Sequence, residues 1–391
     1  MRIWTVLAAA LSLAGCAAAP GDRPAAINSV PATPLASDDA GPLFWNQATR
    51  TDRFRRMEQF YPGLEAAPAA HPRVLPAGAP FDAATLAAID ARLTAMNAAG
   101  IMVLQDGKVR LERYRLDFGP DQRWTSFSVA KSFTSTLLGA AVRDGALSLS
   151  DPVTKYLPGL SGTAYDGVTV EQVATMTSGV KWNEDYTDPR SDVARMLQVS
   201  PVAGEPQSVT YAKTLTREAP AGGKWVYKTL ETNLLGDIVA AATGKTLAAY
   251  AKDKIVDPAG FSGGLFWMTD LTGRNIGGCC LSIRLSDYAR MGQWVMEGGQ
   301  PSVPARWFDK AAGKRVDIGA GSGYGYGYQW WTNPLGYGAQ GIFGQYITVI
   351  PRQRLVIAVV SSNADATSKQ LSEARLALWT TIAQAAGSGG Q

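Results

Sequence analysis

Thr125-Ser126-Phe127-Ser128-Val129-Ala130-Lys131-Ser132-Phe133 opens an apolar run that continues at helical spacing to Val142 and gives out at Asp144-Gly145. Residues three apart on a helix share a face, so Ser128 and Lys131 come within reach of each other. A serine in the first turn also feels the positive end of the helix dipole, which favours its alkoxide-like form. An amine one turn on can take its proton. The same spacing recurs at Ser178/Lys181, but there Gly179 falls just beyond a capped helical stretch, Thr169 to Met176, where glycine commonly marks a helix end. Ser178 and Lys181 are therefore predicted to lie in a loop. The competing reading of Ser128 itself is a plain helix N-cap.

The chain around this stretch has 391 residues, 46% hydrophobic and 18% charged, enough for a large buried core. Its net charge of +4 is scattered with no basic run, which argues against a nucleic-acid partner. Met1-Arg2 followed by apolar Ile3 to Leu13 reads as an export signal too short to span a bilayer stably. It ends Leu13-Ala14-Gly15-Cys16, similar to the lipobox of bacterial lipoproteins, with Cys16 as the acylated residue. The alternative is an ordinary cleaved signal with a chance cysteine. Residues 1–15 are thus expected to be a signal, 16–42, rich in Ala, Pro, Ser and Asp, a flexible tether, and 43–391 the folded body. The expected location is the bacterial cell envelope, lipid-anchored and facing the periplasm. Ala17 after the cysteine suggests the outer membrane in a Gram-negative source.

Adjacent Cys279 and Cys280 fit no zinc motif. They can form a strained vicinal disulfide or remain two buried thiols, and the thiols are favoured. With His71 the sole histidine, neither a histidine-based metal site nor a Ser-His-Asp triad is expected, and no cofactor is called for. Gly260-Phe261-Ser262-Gly263-Gly264 matches the nucleophile-elbow pattern, but that motif needs a strand before it and a helix after it, and Asp257-Pro258 precedes it here.

Periodicity places helices at Trp45–Phe60, Asp82–Asn97, Glu231–Thr243 (closed by Gly244), Thr246–Asp253, Ser286–Met296 and Lys369–Ala385. Ile101–Gln105 and Lys108–Tyr114 around Asp106-Gly107 make a hairpin signal. Tyr324 to Trp331 alternates strictly, which predicts one strand with three tyrosines and Trp330 on one face and Trp331 on the other. Strands are also expected at 344–350 and 355–360. The whole predicts an α/β fold of the α+β type: a mainly antiparallel sheet from N- and C-terminal segments, flanked by helices, with a mostly helical region inserted at about 145–290.

This order, with Ser128 leading a central helix, resembles the serine β-lactamase and penicillin-binding fold, and most of all the class C-related branch that holds 6-aminohexanoate-dimer hydrolases and β-lactamase-like esterases. Asp151-Pro152-Val153-Thr154-Lys155-Tyr156-Leu157-Pro158, Thr175-Met176-Thr177-Ser178-Gly179, Glu184-Asp185-Tyr186-Thr187-Asp188-Pro189 and Leu234-Leu235-Gly236-Asp237-Ile238 support the resemblance over roughly 45–385. It implies a second motif at Tyr227-Lys228-Thr229, where Thr229 stands for the usual Asn or Ser, with the Tyr227 phenolate favoured by Lys131 and Lys228. It implies a third at Ala339-Gln340-Gly341, which lacks the lysine of true β-lactamases. Gly341 would let the backbone approach a substrate closely, and the amides of Ser128 and Ile342 would bind an oxyanion. Tyr186 matches a substrate-contacting tyrosine, with a plain loop aromatic as the competing reading, and Trp331 is a weaker pocket candidate for which core packing is the favoured reading.

The implied chemistry is hydrolysis of a small ester or linear amide through a Ser128 acyl-enzyme, with Lys131 and Tyr227 as general base and acid. Two rivals stand beside it: a D,D-peptidase or β-lactamase, and a non-catalytic cell-wall-binding lipoprotein. Oligomeric state is left open.

Overall fold

The computed structural model describes residues 27–29, 31–33, 35, 39–318 and 323–388. The signal segment and Cys16 lie outside the described residues.

An eight-stranded antiparallel sheet forms the centre. Its hairpin Ala98–Gln105/Lys108–Tyr114 turns at Asp106 and Gly107, both at positive φ (51° and 73°), the conformation that lets a two-residue loop follow the strand twist. The hairpin edge continues into Leu355–Ser361, Gln345–Ile350, Gly336–Gly341, Trp331–Asn333, Gly325–Tyr326 and Val316–Asp317. The sheet thus joins both ends of the chain, with Ile101 opposite Val359.

Both faces are covered, which explains why the central strands are apolar throughout rather than alternating. Ile101, Val103, Ile357 and Val359 pack with Ile89, Leu93, Leu378 and Trp379 of the helices Ala83–Ala95 and Lys369–Ser388. Met102, Leu104, Val356 and Ala358 face the other core, against the helix Leu285–Met296 and the helix Val129–Arg143. Helix ends obey their local chemistry. Asp82 accepts from the Thr85 amide at 2.9 Å, Thr169 and Gln172 form a reciprocal capping box, and Gly244 closes the helix Thr229–Thr243 at φ 69°.

Several expectations are corrected. A second antiparallel sheet of five short strands was not foreseen: Ile27–Ser29, Gly63–Ala66, Leu265–Met268, Leu281–Ile283 and Trp124–Thr125. Two of these strands fall inside the region read as helical, and Ile27–Ser29 falls inside the stretch read as a free tether. The helix at 45–60 is shorter, Gln47–Arg53, followed by a single 3₁₀ turn at Met57–Gln59. The strand at 324–331 is two short strands around a bend, with Gln329 at φ 59°. The bend is held from the helix Val129–Arg143. Ser132 donates to the Gln329 carbonyl at 2.7 Å, and Ser135 donates to the Tyr328 carbonyl. Ser262 lies between a helical turn and a strand, the reverse of a nucleophile elbow, and contacts Asp287 and Arg290. No helix among the described residues is long and apolar enough to cross a membrane.

Candidate active site

Ser128 stands where the strand Trp124–Thr125 turns into the helix Val129–Arg143. Its backbone is at φ −69°, ψ −3°, and its hydroxyl makes no capping bond, so the plain N-cap reading fails. The hydroxyl instead receives a hydrogen bond from Lys131 Nζ at 3.0 Å. Lys131 is buried, and its other donors go to Thr229 Oγ1 at 2.9 Å and the Gly278 carbonyl at 2.8 Å. Burial pushes its ammonium down to about 8, with Glu184 acting the other way. An amine brought that far toward neutrality can serve as a base at the pH of most cells and envelopes.

Two strained aromatic residues hold the oxyanion corner. Phe127 precedes Ser128 at φ 43°, and Phe343 follows Ile342 at φ 61°, a region costly for bulky side chains. Their rings meet edge-on at 5.3 Å, and both pack on Phe54. This cluster fixes the turn carrying Ser128 against the one carrying Ile342. Gly341 is required at the junction, because a Cβ there would sit 2.6 Å from the Ser126 carbonyl and 3.1 Å from the Ser128 amide. The backbones that must offer two N–H groups to one oxygen are therefore adjoining.

Tyr227 reaches Ser128 with its hydroxyl. Its ring stacks on Trp331 and meets Tyr326 edge-on at 6.1 Å, and Lys131 Nζ lies 5.1 Å from its centroid. Burial, reinforced by Glu184, pushes its phenol above the ordinary value. Burial thus works against the expected phenolate and favours the neutral phenol. Lys228 does not supply the second cation, since its side chain is buried away from the site, 3.5 Å from Glu231.

Glu184 is the functional carboxylate that the sequence did not reveal. It accepts from the Thr229 amide at 2.9 Å, from the Thr229 hydroxyl, from the Trp182 indole and from Tyr186 at 2.9 Å. Thr229 therefore passes the orientation of Glu184 on to Lys131, which explains how a threonine serves at that position. Tyr186, Trp331, Gln340, Gly341 and Ile342 all line a cleft of about 450 Å³ beside Ser128. Trp331 is half-buried and lines this cleft while packing on Tyr227 and Tyr326, whereas Trp330 is in the core.

Ala339 is fully buried and offers no charge. A cation comes from the opposite wall. Arg375, on the last helix, lines the cleft with its Nε unpartnered; among the described residues no carboxylate is within ion-pair distance. Ser178, the decoy nucleophile, is buried and donates to Glu231, while Lys181 is exposed in a loop. The sulfurs of Cys279 and Cys280 are in contact, the arrangement that the vicinal-disulfide alternative requires. Adjacency and the positive φ of Cys280, 74°, bring their sulfurs together.

The model of one protein family, beta-lactamase, matches residues 86–268. The chain is 30% identical over 300 residues to the 6-aminohexanoate-dimer hydrolase of Paenarthrobacter ureafaciens, covering 71% of this chain and 76% of that protein. Among solved structures, a Bacillus anthracis protein provisionally named for the same activity superposes with a TM-score of 0.77 at 20% identity, over 89% of this chain and 97% of the other. A class C beta-lactamase in complex with cefoxitin gives 0.57 at 17% identity, over 77% and 98%.

Proposed function

The chain belongs to the beta-lactamase family of serine hydrolases, and on that premise we propose that it cleaves an ester or a linear amide through an acyl-enzyme on Ser128. Lys131 takes the serine proton as the oxygen attacks the carbonyl carbon. The amides of Ser128 and Ile342 stabilise the oxyanion, a contribution of a few kcal/mol per donor, roughly 3. Tyr227 protonates the departing alcohol or amine, and water then cleaves the acyl-enzyme with the same groups in reversed roles.

The observation that carries this reading is the buried Lys131 amine 3.0 Å from the Ser128 hydroxyl. It would have little purpose in a module that only binds. The preference for an ester or linear amide over a penicillin is supported by the neutral, buried Ala339, because a penicillin carboxylate would find no cation at that edge of the sheet. The relative named for the 6-aminohexanoate dimer, a linear amide, agrees with this. Arg375 favours a second reading, a D,D-peptidase or β-lactamase, by offering a carboxylate a charge from the other wall. Anchoring through Cys16 to the envelope, facing the periplasm, is part of the same proposal and is supported by the Leu13-Ala14-Gly15-Cys16 string.

The deciding experiment compares nitrophenyl butyrate, the linear 6-aminohexanoate dimer and a penicillin on one enzyme preparation. Higher kcat/KM for the ester or the linear amide supports the proposal. Higher kcat/KM for the penicillin promotes the second reading, and no turnover with no serine labelling leaves the binding lipoprotein.

A further inference from the structure

Ser128 borders two cavities, which also share Tyr186 and Ile342 in their walls. The cleft already described holds Tyr227, Arg375 and several hydroxyls. A second cavity of about 290 Å³ opens on the other side of the serine. Its lining includes Leu43, Phe44, Val193, Met196, Leu197 and Met268, with the Cys279–Cys280 pair among the lining residues nearest the Lys131 anchor at Gly278. Tyr227 does not line it.

The one charged group there is already engaged. Asp39 accepts from Arg53 at 2.7 Å, from the Trp45 indole at 2.6 Å and from the Gly41 amide at 2.8 Å. Those bonds, with Gly41 at φ 78° and the Phe44 amide returning to the Gly41 carbonyl at 3.0 Å, pin residues 39–44 as a strap across the cavity. A pocket with apolar walls and a satisfied carboxylate selects an uncharged, water-averse group.

The position of the proton donor decides which half of the substrate goes where. Tyr227 must face the leaving group, so the leaving group departs into the cleft that Tyr227 lines. The acyl half is then on the other side of Ser128. We propose that the cavity under the strap is an acyl pocket for an unbranched apolar chain. This rests on the Ser128 hydrolase reading above and names the substrate class it serves. At ~30 Å³ for each water-sized group, the cavity of about 290 Å³ holds an acyl chain of roughly eight to ten carbons.

The test is a series of nitrophenyl esters from acetate to laurate on the full chain in detergent. Burial of each methylene raises kcat/KM about two- to fourfold, with a maximum at octanoate or decanoate and a fall at laurate. Leu43→Asp places a second carboxylate on the strap at a half-buried position, and Met196→Trp fills the cavity from the opposite wall. Each lowers the octanoate-to-acetate ratio at least tenfold (an order-of-magnitude expectation from the same transfer scale), with melting temperatures reporting on folding. A flat series in the unaltered protein, or a ratio unmoved in a folded variant, overturns the pocket while the hydrolase reading stands. If no ester is turned over, that reading fails instead, and calorimetry with octanoate decides the pocket separately. Binding that is lost in Leu43→Asp keeps it, and absence of binding to the unaltered protein removes it.

Discussion

Tyr227 and Trp331 stack with ring centroids 5.4 Å apart and planes 26° from parallel, so the proton donor is held by a residue of the sheet rather than by its own loop. Tyr227→Phe keeps the ring and removes the hydroxyl, and should lower kcat on the order of a hundredfold, the usual worth of a proton-transfer group. Trp331→Ala keeps the hydroxyl and removes its support. It should cost less in kcat and should raise KM, because the indole is also a wall of the cleft. Steady-state kinetics on both variants separates the two roles, and near-normal kcat in Tyr227→Phe would make the tyrosine structural.

Ser128→Ala should abolish labelling by a fluorophosphonate probe, whereas Ser178→Ala and Ser262→Ala should label normally. Ser178→Ala should still lower stability by about 1–3 kcal/mol, because it removes a hydroxyl donor from the buried Glu231 carboxylate and leaves it the longer Lys228 contact at 3.5 Å. Gel fluorescence and thermal melts read the two effects independently.

Lys131 acts only when neutral. With its ammonium pushed down to about 8, kcat/KM should rise with pH through that value and level off above it. The linkage to stability has the same sign. The folded state holds the lysine proton less tightly than the unfolded chain, whose lysine titrates at 10.5, so this group makes folding more favourable as pH rises from about 8 toward 10.5. A pH–rate profile that is flat from 6 to 9 (round bounds around that value) would contradict the assignment of Lys131 as base.

Arg375→Met removes the charge from the cleft wall while keeping an apolar stem. Substrates with a carboxylate on the leaving-group side should lose a charge-assisted contact of about 1.5–3 kcal/mol, roughly ten- to a hundredfold in kcat/KM, and neutral esters should change far less. Equal losses on both classes would reduce Arg375 to a packing residue.

Cys16→Ala should shift the protein from the membrane fraction to an unprocessed precursor or a soluble product. Mass spectrometry of the natural terminus is the direct check. An unmodified Cys16, or a terminus beyond it, would end the lipid-anchor proposal.

What the sequence revealed and what it hid divide along local and distant chemistry. The Ser128/Lys131 pair, the Asp106-Gly107 turn and the helix ends at Thr169 and Gly244 are each decided within a few residues, and each appears where the pattern puts it. Glu184 was invisible because its partners at Thr229 and Trp182 are assembled by folding, and nothing in Glu184-Asp185-Tyr186 distinguishes it from a solvated loop acid. Arg375 was hidden for the opposite reason: helical periodicity assigns it a place on a helix and says nothing about which wall that helix forms. Tyr324 to Trp331 misled because strict alternation is evidence only for an unbroken strand, and the hydroxyls of Ser132 and Ser135 bend it. The second sheet is made of strands of two to four residues, too short for periodicity to register.

The pairing of Ile101 with Val359 has a consequence for the life of the molecule before it is finished. The strand next to the nucleophile's own segment of chain can complete its central pairing only after nearly the last strand has been made, and the Ile342 amide arrives at the same late stage. Closing so long a loop is slow relative to local structure. A nascent chain can already contain Ser128 and Lys131 in a formed helix, yet it lacks the Ile342 half of the oxyanion corner and the wall that shapes the cleft. Assembly of the oxyanion corner is thereby tied to completion of the polypeptide through the strand Leu355–Ser361.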